Sequence, residues 1–183
     1  VTGVQTCALP ISQDYVQDCQ DYFGGVKTVY LIEFSNITAY TVTAGVVSAI
    51  TKATGKFFRK YDIQAHTAEG DDAGTVKPET GTRSVKQSVK FPINGMSVTT
   101  RNEIELLAKN RLIFVLVDEM GVGWYYGADY GLRLLTYGAK TGKVLADQNG
   151  YQLNFEGEEK YLAYKVDSTI DRKSTRLNSS HIT

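Results

Sequence analysis

Residues 112–166 read LIFVLVDEMGVGWYYGADYGLRLLTYGAKTGKVLADQNGYQLNFEGEEKYLAYKV. Short apolar runs alternate there with Gly-rich turns, a rhythm that predicts consecutive antiparallel strands. Residues 112–117 are six apolar side chains in a row, which predicts a strand covered on both faces. Residues 119–122 turn the chain, and 123–128 and 132–137 follow as strands. Gln148-Asn149-Gly150 predicts a tight hairpin, with Asn-Gly supplying positive φ. Tyr151, Leu153 and Phe155 then alternate with polar neighbours, and 161–166 closes the series.

Working outward, Lys27–Phe34 is β-branched and aromatic, and 41–50 holds one or two short strands around Gly45. The spacing in 56–66 (KFFRKYDIQAH) predicts a strand with Phe57, Tyr61, Ile63 and Ala65 on one side. In 83–91 Val85, Gln87, Val89 and Phe91 face one way, while Ser84, Lys86, Ser88 and Lys90 face water. Pro92 has no donor and is expected to end that ladder. Residues 99–110 predict the single helix, capped by a Thr100–Glu103 box, with Ile104, Leu107 and Ala108 as its apolar stripe. Residues 67–82 (TAEGDDAGTVKPETGT) lack large apolar side chains other than Val76. Such a stretch cannot bury enough surface to offset its ordering entropy. It is expected to be a mobile loop, either a floppy hairpin tip or a segment whose Asp71, Asp72, Val76, Lys77, Pro78 and Glu79 order on contact with a neighbouring subunit. The fold class expected is mainly β: a β-sandwich or half-barrel of about eight antiparallel strands with one flanking helix.

Residues 1–12 (VTGVQTCALPIS) and 171–183 (DRKSTRLNSSHIT) resemble translated sequencing-adapter read-through and are set apart from a single domain over 13–170. That domain holds 17 basic and 19 acidic residues, so its charge does not point to a nucleic-acid-binding surface. No apolar run approaches the roughly 18 residues of a membrane helix. Cys19 is its lone cysteine, so no disulfide forms within it and an oxidising compartment is not implied.

Candidate chemistry is sparse. Gly121, Gly123 and Gly127 match neither the dinucleotide fingerprint nor a P-loop and read as turn glycines. Asp147-Gln148-Asn149-Gly150 departs from the EF-hand spacing. Glu156, Glu158, Glu159, Asp118 and Asp129 sit at turns and strand ends, where solvated charge is the ordinary reading. His66 is the lone histidine of 13–170, too few for a triad or a histidine metal site. No enzyme, cofactor or metal is therefore expected. Trp124, Tyr125, Tyr126 and Tyr130 form a candidate aromatic surface for stacking on a sugar, against the alternative of core or interface filling.

The order of features carries one resemblance. Cys19 and Gly24-Gly25-Val26-Lys27 lead into a strand, followed by central hairpins, a long polar loop and a capped helix. The apolar strand with Asp118, then Asp147-Gln148-Asn149-Gly150-Tyr151 and Phe155-Glu156-Gly157-Glu158-Glu159, complete it. This layout resembles the tail tube (major tail) proteins of tailed phages and prophages. The resemblance implies a virion structural protein made in the bacterial host cytoplasm. It implies self-assembly into hexameric rings, contact with other tail or virion proteins, and a conduit through which genome DNA passes without specific binding or any membrane. It transfers no residue role. A connector or baseplate component and a carbohydrate-binding β-sandwich are the alternatives.

Overall fold

The computed structural model describes residues 23–144 and 147–167. The expectations for 1–12, for Cys19 and for 171–183 lie outside those residues. The molecule is built on β7 (Leu112–Asp118), which lies between β1 (Val26–Glu33) and β8 (Gly123–Tyr126). Around them β2 (Ile37–Thr43), β3 (Val46–Lys52), β4 (Arg59–Asp62) and β11 (Tyr164–Val166) complete a seven-stranded sheet ordered β2-β3-β11-β8-β7-β1-β4. A four-stranded sheet is ordered β5-β6-β10-β9, from β5 (Glu69–Lys77), β6 (Thr82–Asn94), β9 (Arg133–Lys140) and β10 (Gly150–Glu159). Every strand pair is antiparallel except β11 with β3. The helix α1 spans Val98–Leu107. The protein is thus a mainly β sandwich with one flanking helix, with eleven strands among the described residues rather than about eight.

Six consecutive buried residues of β7 serve two cores. Leu112, Phe114 and Leu116 join Val29, Leu31, Val89, Phe91, Leu153 and Phe155 between the sheets. The Phe114 and Phe155 rings lie 4.8 Å apart, and Phe91 stacks on Phe155 at 5.7 Å. Ile113, Val115 and Val117 face the other way and pack with Tyr30, Ile32, Val47, Phe58 and Tyr125. Val47, on β3, and Phe58, just before β4, belong to the same cluster although those strands lie near opposite ends of the sheet. Full burial is worth about 1.5–3 kcal/mol per large apolar side chain, so β7 is the main apolar anchor of both layers. From the helix, Ile104 and Leu107 cover one margin of the inter-sheet core.

Residues 112–166 do form successive strands, but in two sheets. β7 and β8 pair in one, β9 and β10 cross to the other, and β11 returns. β10 is apolar on alternate positions only, so a single covered face suits it. The expected tight hairpin at Asn149-Gly150 is instead a connection over 141–149, and Gly150 pairs with Lys140. A Cβ on Gly150 would collide with the Ile93 carbonyl, so close approach, not turn geometry, requires glycine there.

Within the expected loop 67–82, residues 78–81 are the hairpin turn, but 69–77 is corrected to strand. Glu69–Lys77 is a strand in register with β6 from Glu69↔Lys90 to Lys77↔Thr82. Main-chain pairing supplies the ordering that its side chains do not. Gly70 lets β5 lie against the other sheet: a Cβ there would come 2.5 Å from Leu116 Cδ1 and 2.7 Å from the Tyr126 hydroxyl. Pro92 does not end the ladder, because β6 runs on to Asn94 with Pro92 opposite Gln152. Beyond Lys90 β5 has stopped, so β6 has a partner on one side only, where a missing N–H is tolerated. Ser88, expected in water, is buried between flanking Asp71 and Glu156. In 56–66 only β4 is strand, and Phe58, not Phe57, is buried. The helix cap is Ser97, whose Oγ accepts from the Thr100 N–H at 3.0 Å.

Candidate functional site

Residues that pair across the four-stranded sheet share a face, which fixes its two sides. Val85, Gln87, Val89 and Phe91 of β6 turn inward with Leu153 and Phe155 of β10. The outer side is polar, and one of its rows runs Asp71–Ser88–Glu156–Arg133 across all four strands. Two of its lysines are matched by carboxylates. Lys86 contacts Glu156, whose carboxyl it holds below the ordinary range, and Lys90 contacts Glu69 at 2.8 Å.

The six residues expected at a subunit contact lie on β5 and its turn, at one open edge of this sheet. Asp71 is exposed and Val76 is 70% exposed. Lys77 ends the strand, and Pro78 and Glu79 are in the exposed turn. Asp72 differs: it is half-buried, and its Oδ2 accepts from the Ala163 N–H at 2.9 Å. Its Oδ1 is buried without a partner among the described residues, and burial pushes this carboxyl up. The opposite edge, β9, is exposed at Leu135 (59%) and Tyr137 (51%).

The four aromatic candidates do not form a common surface. Strand alternation sends Tyr126 into the inter-sheet core and Tyr125 into the other core. Trp124 keeps an exposed edge, its indole N–H donating to Asp118 Oδ2 at 3.1 Å. Tyr130 is exposed, with Lys160 Nζ 5.4 Å from its ring centre. The structure does gather residues from both expected groups: Asp71, Asp72, Trp124 and Tyr126 line one cleft of about 460 Å³.

Of the carboxylates expected to be solvated at turns, Glu159 and Asp118 hold backbone N–H groups, and Asp129 and Glu156 engage side chains. Glu159 is 4% exposed. Its Oε1 accepts from the Tyr130 and Gly131 N–H groups at 2.9 and 3.0 Å, and its Oε2 from the Asp129 N–H at 2.9 Å. Burial pushes this carboxyl up, and the three N–H donors oppose the shift. Gly127 and Gly131, at φ +78° and +74°, give the loop the left-handed turns it needs. Asp129 in turn accepts from the Tyr40 hydroxyl at 2.8 Å. Asp118 Oδ1 accepts from the Val122 N–H at 2.8 Å, and Asp147 Oδ2 from the N–H groups of Lys143 and Val144.

Gln87 was read as a core-facing residue but not as a tie. Its amide donates to the Tyr161 carbonyl at 3.2 Å and accepts from the Gly127 N–H at 2.9 Å, linking the sheets. A polar residue on the apolar face of an alternating strand was its only signal in the sequence. Glu159 had none, since a glutamate at a strand end reads as solvated. No protein-family model, curated protein or solved structure matches this chain.

Proposed function

We propose that this protein is a virion structural subunit, tail tube-like, that assembles into rings around a conduit for DNA. The observation that carries the reading is the four-stranded sheet, whose two edge strands have no further strand partner among the described residues. Its strands alternate in direction, so β5 and β9 run oppositely. A copy rotated about an axis along the sheet brings its β5 beside the first copy's β9 and continues the antiparallel order. Unpaired strand edges of this kind are templates for pairing with another chain.

Six such sheets close 24 strands. At about 4.8 Å per strand and a tilt of roughly 40°, the backbone barrel is about 48 Å across. Its polar outer side would line the lumen. Two of its lysines, Lys86 and Lys90, are paired with Glu156 and Glu69, which lowers the pull of that face on phosphate. The β5–β6 turn reaches beyond the last β6–β10 pair, Val85↔Glu159, and is free to touch other subunits or other virion proteins. The full chain, concentrated and studied by light scattering and negative-stain electron microscopy, is expected to form rings or short tubes. A strictly monomeric species with no particles at any concentration overturns the reading.

A further inference from the structure

The two open edges of the four-stranded sheet are electrically opposite. On its outer side β5 carries Glu69, which pairs with Lys90, and Asp71, against the single cation Lys77, while Asp72 turns inward to the Ala163 N–H. β9 carries Arg133 and Lys140 and no acidic residue. Asp71, Arg133 and Lys140 are exposed, and none is in a salt bridge among the described residues.

The register adds direction to this contrast. Asp71 and Arg133 end the same row of the sheet. A copy set alongside without stagger therefore presents Arg133 to its neighbour's Asp71. A closed barrel tilts its strands and staggers neighbours, and a stagger of four residues sets Lys140 beside Glu69 instead. Both alignments bring opposite charges together. Two copies meeting through β5 alone would set acid against acid, and through β9 alone base against base. Like charges directly opposite across strands are destabilising, and discrimination of this kind comes as much from the repelled pairing as from the attracted one.

We propose that the acidic β5 edge and the basic β9 edge form the contact between copies of this chain. Their charges impose a head-to-tail order. Such a contact is heterologous and builds a ring when its rotation closes, whereas like-edge pairing stops at a dimer. This inference rests on the assembly reading above and adds the charges that select β5 with β9 over like-edge pairing.

Two full-length variants test it: R133E/K140E, with both edges acidic, and E69K/D71K, with both edges basic. Each alone is expected to stay monomeric where the wild type forms rings, with an unchanged circular dichroism spectrum. An equimolar mixture is expected to restore rings of alternating copies, which variants that merely misfold could not do. Rings formed by either variant alone as readily as by wild type, or a mixture of folded variants that stays monomeric, overturn the edge assignment while leaving assembly standing. A wild type that never assembles removes both readings.

Discussion

Glu159 shows how far a single residue can depart from its apparent type. Three backbone N–H groups, one of them in a buried bond, converge on its carboxylate. E159Q keeps one oxygen and turns an NH₂ toward a donor. It is expected to cost about 1–3 kcal/mol in urea unfolding; a loss too small to measure would mean that the loop finds other acceptors. The pH dependence has a definite sign. Burial raises the folded carboxyl above its ordinary 4.5, so the folded state binds a proton more readily than the unfolded one. The charged form's penalty is present above the folded value and relieved as pH falls through it. The wild type should therefore gain on E159Q as pH drops from 7 toward 4.5, and a narrowing gap would show that the N–H donors outweigh burial. Tyr125 is the converse case: fully buried, its hydroxyl has no partner among the described residues. Y125F is expected to leave stability unchanged or raise it by up to about 1 kcal/mol, because an unsatisfied polar group is removed. Measurable destabilisation by denaturant titration would reveal a partner for the hydroxyl.

Among the elements, those with local signals were readable. β7 was visible as an unbroken apolar run, β6 as an alternation, and α1 as a stripe of Ile104, Leu107 and Ala108. The cap of α1 was misplaced by three residues, because Thr100 with Glu103 matches the capping-box pattern while Ser97, the cap in the structure, has no Glu or Gln three residues on. The two assignments differ in consequence. S97A removes the oxygen that accepts the Thr100 N–H and is expected to cost about 1 kcal/mol. T100A should cost less, and equal losses in thermal or urea unfolding would favour the other cap. β5 was unreadable because its signals are inverted. Small and acidic residues ordinarily mark a loop, yet here Gly70 permits contact with Leu116 and Tyr126. The strand is held by its ladder to β6 rather than by its own burial.

Across the whole molecule, tyrosines tie the layers together, and this has a consequence at high pH. Burial, followed by the nearby Glu103 carboxylate, pushes Tyr61 up to about 12. Burial also raises Tyr40, Tyr125 and Tyr126 beyond the usual phenol range. A raised folded value means that this stability is fully present below the unfolded value near 10 and lost as pH climbs through the folded values. Urea midpoints are expected to hold up to about pH 10 and fall steeply above it. A flat profile through pH 12 would mean that these hydroxyls ionise without opening the core.

The apolar run of β7, the alternation of β6 and β10, the glycine punctuation and the helix stripe are properties of neighbouring residues, so the sequence alone determined a mainly β fold with one helix. Which sheet each strand joins, that β5 is a strand at all, and that Glu159 lies inside a ring of N–H donors depend on partners far along the chain. Asp129 and Glu159 are brought together by the crossing of β9 and β10 to the second sheet, as Gln87 and Gly127 are by the packing of the two sheets. The two charged edges likewise stand in 69–77 and 133–140 as unremarkable composition. Only strand order sets them at opposite ends of one sheet, because hydrogen-bonded pairing, not distance along the chain, decides which strands are left without a neighbour.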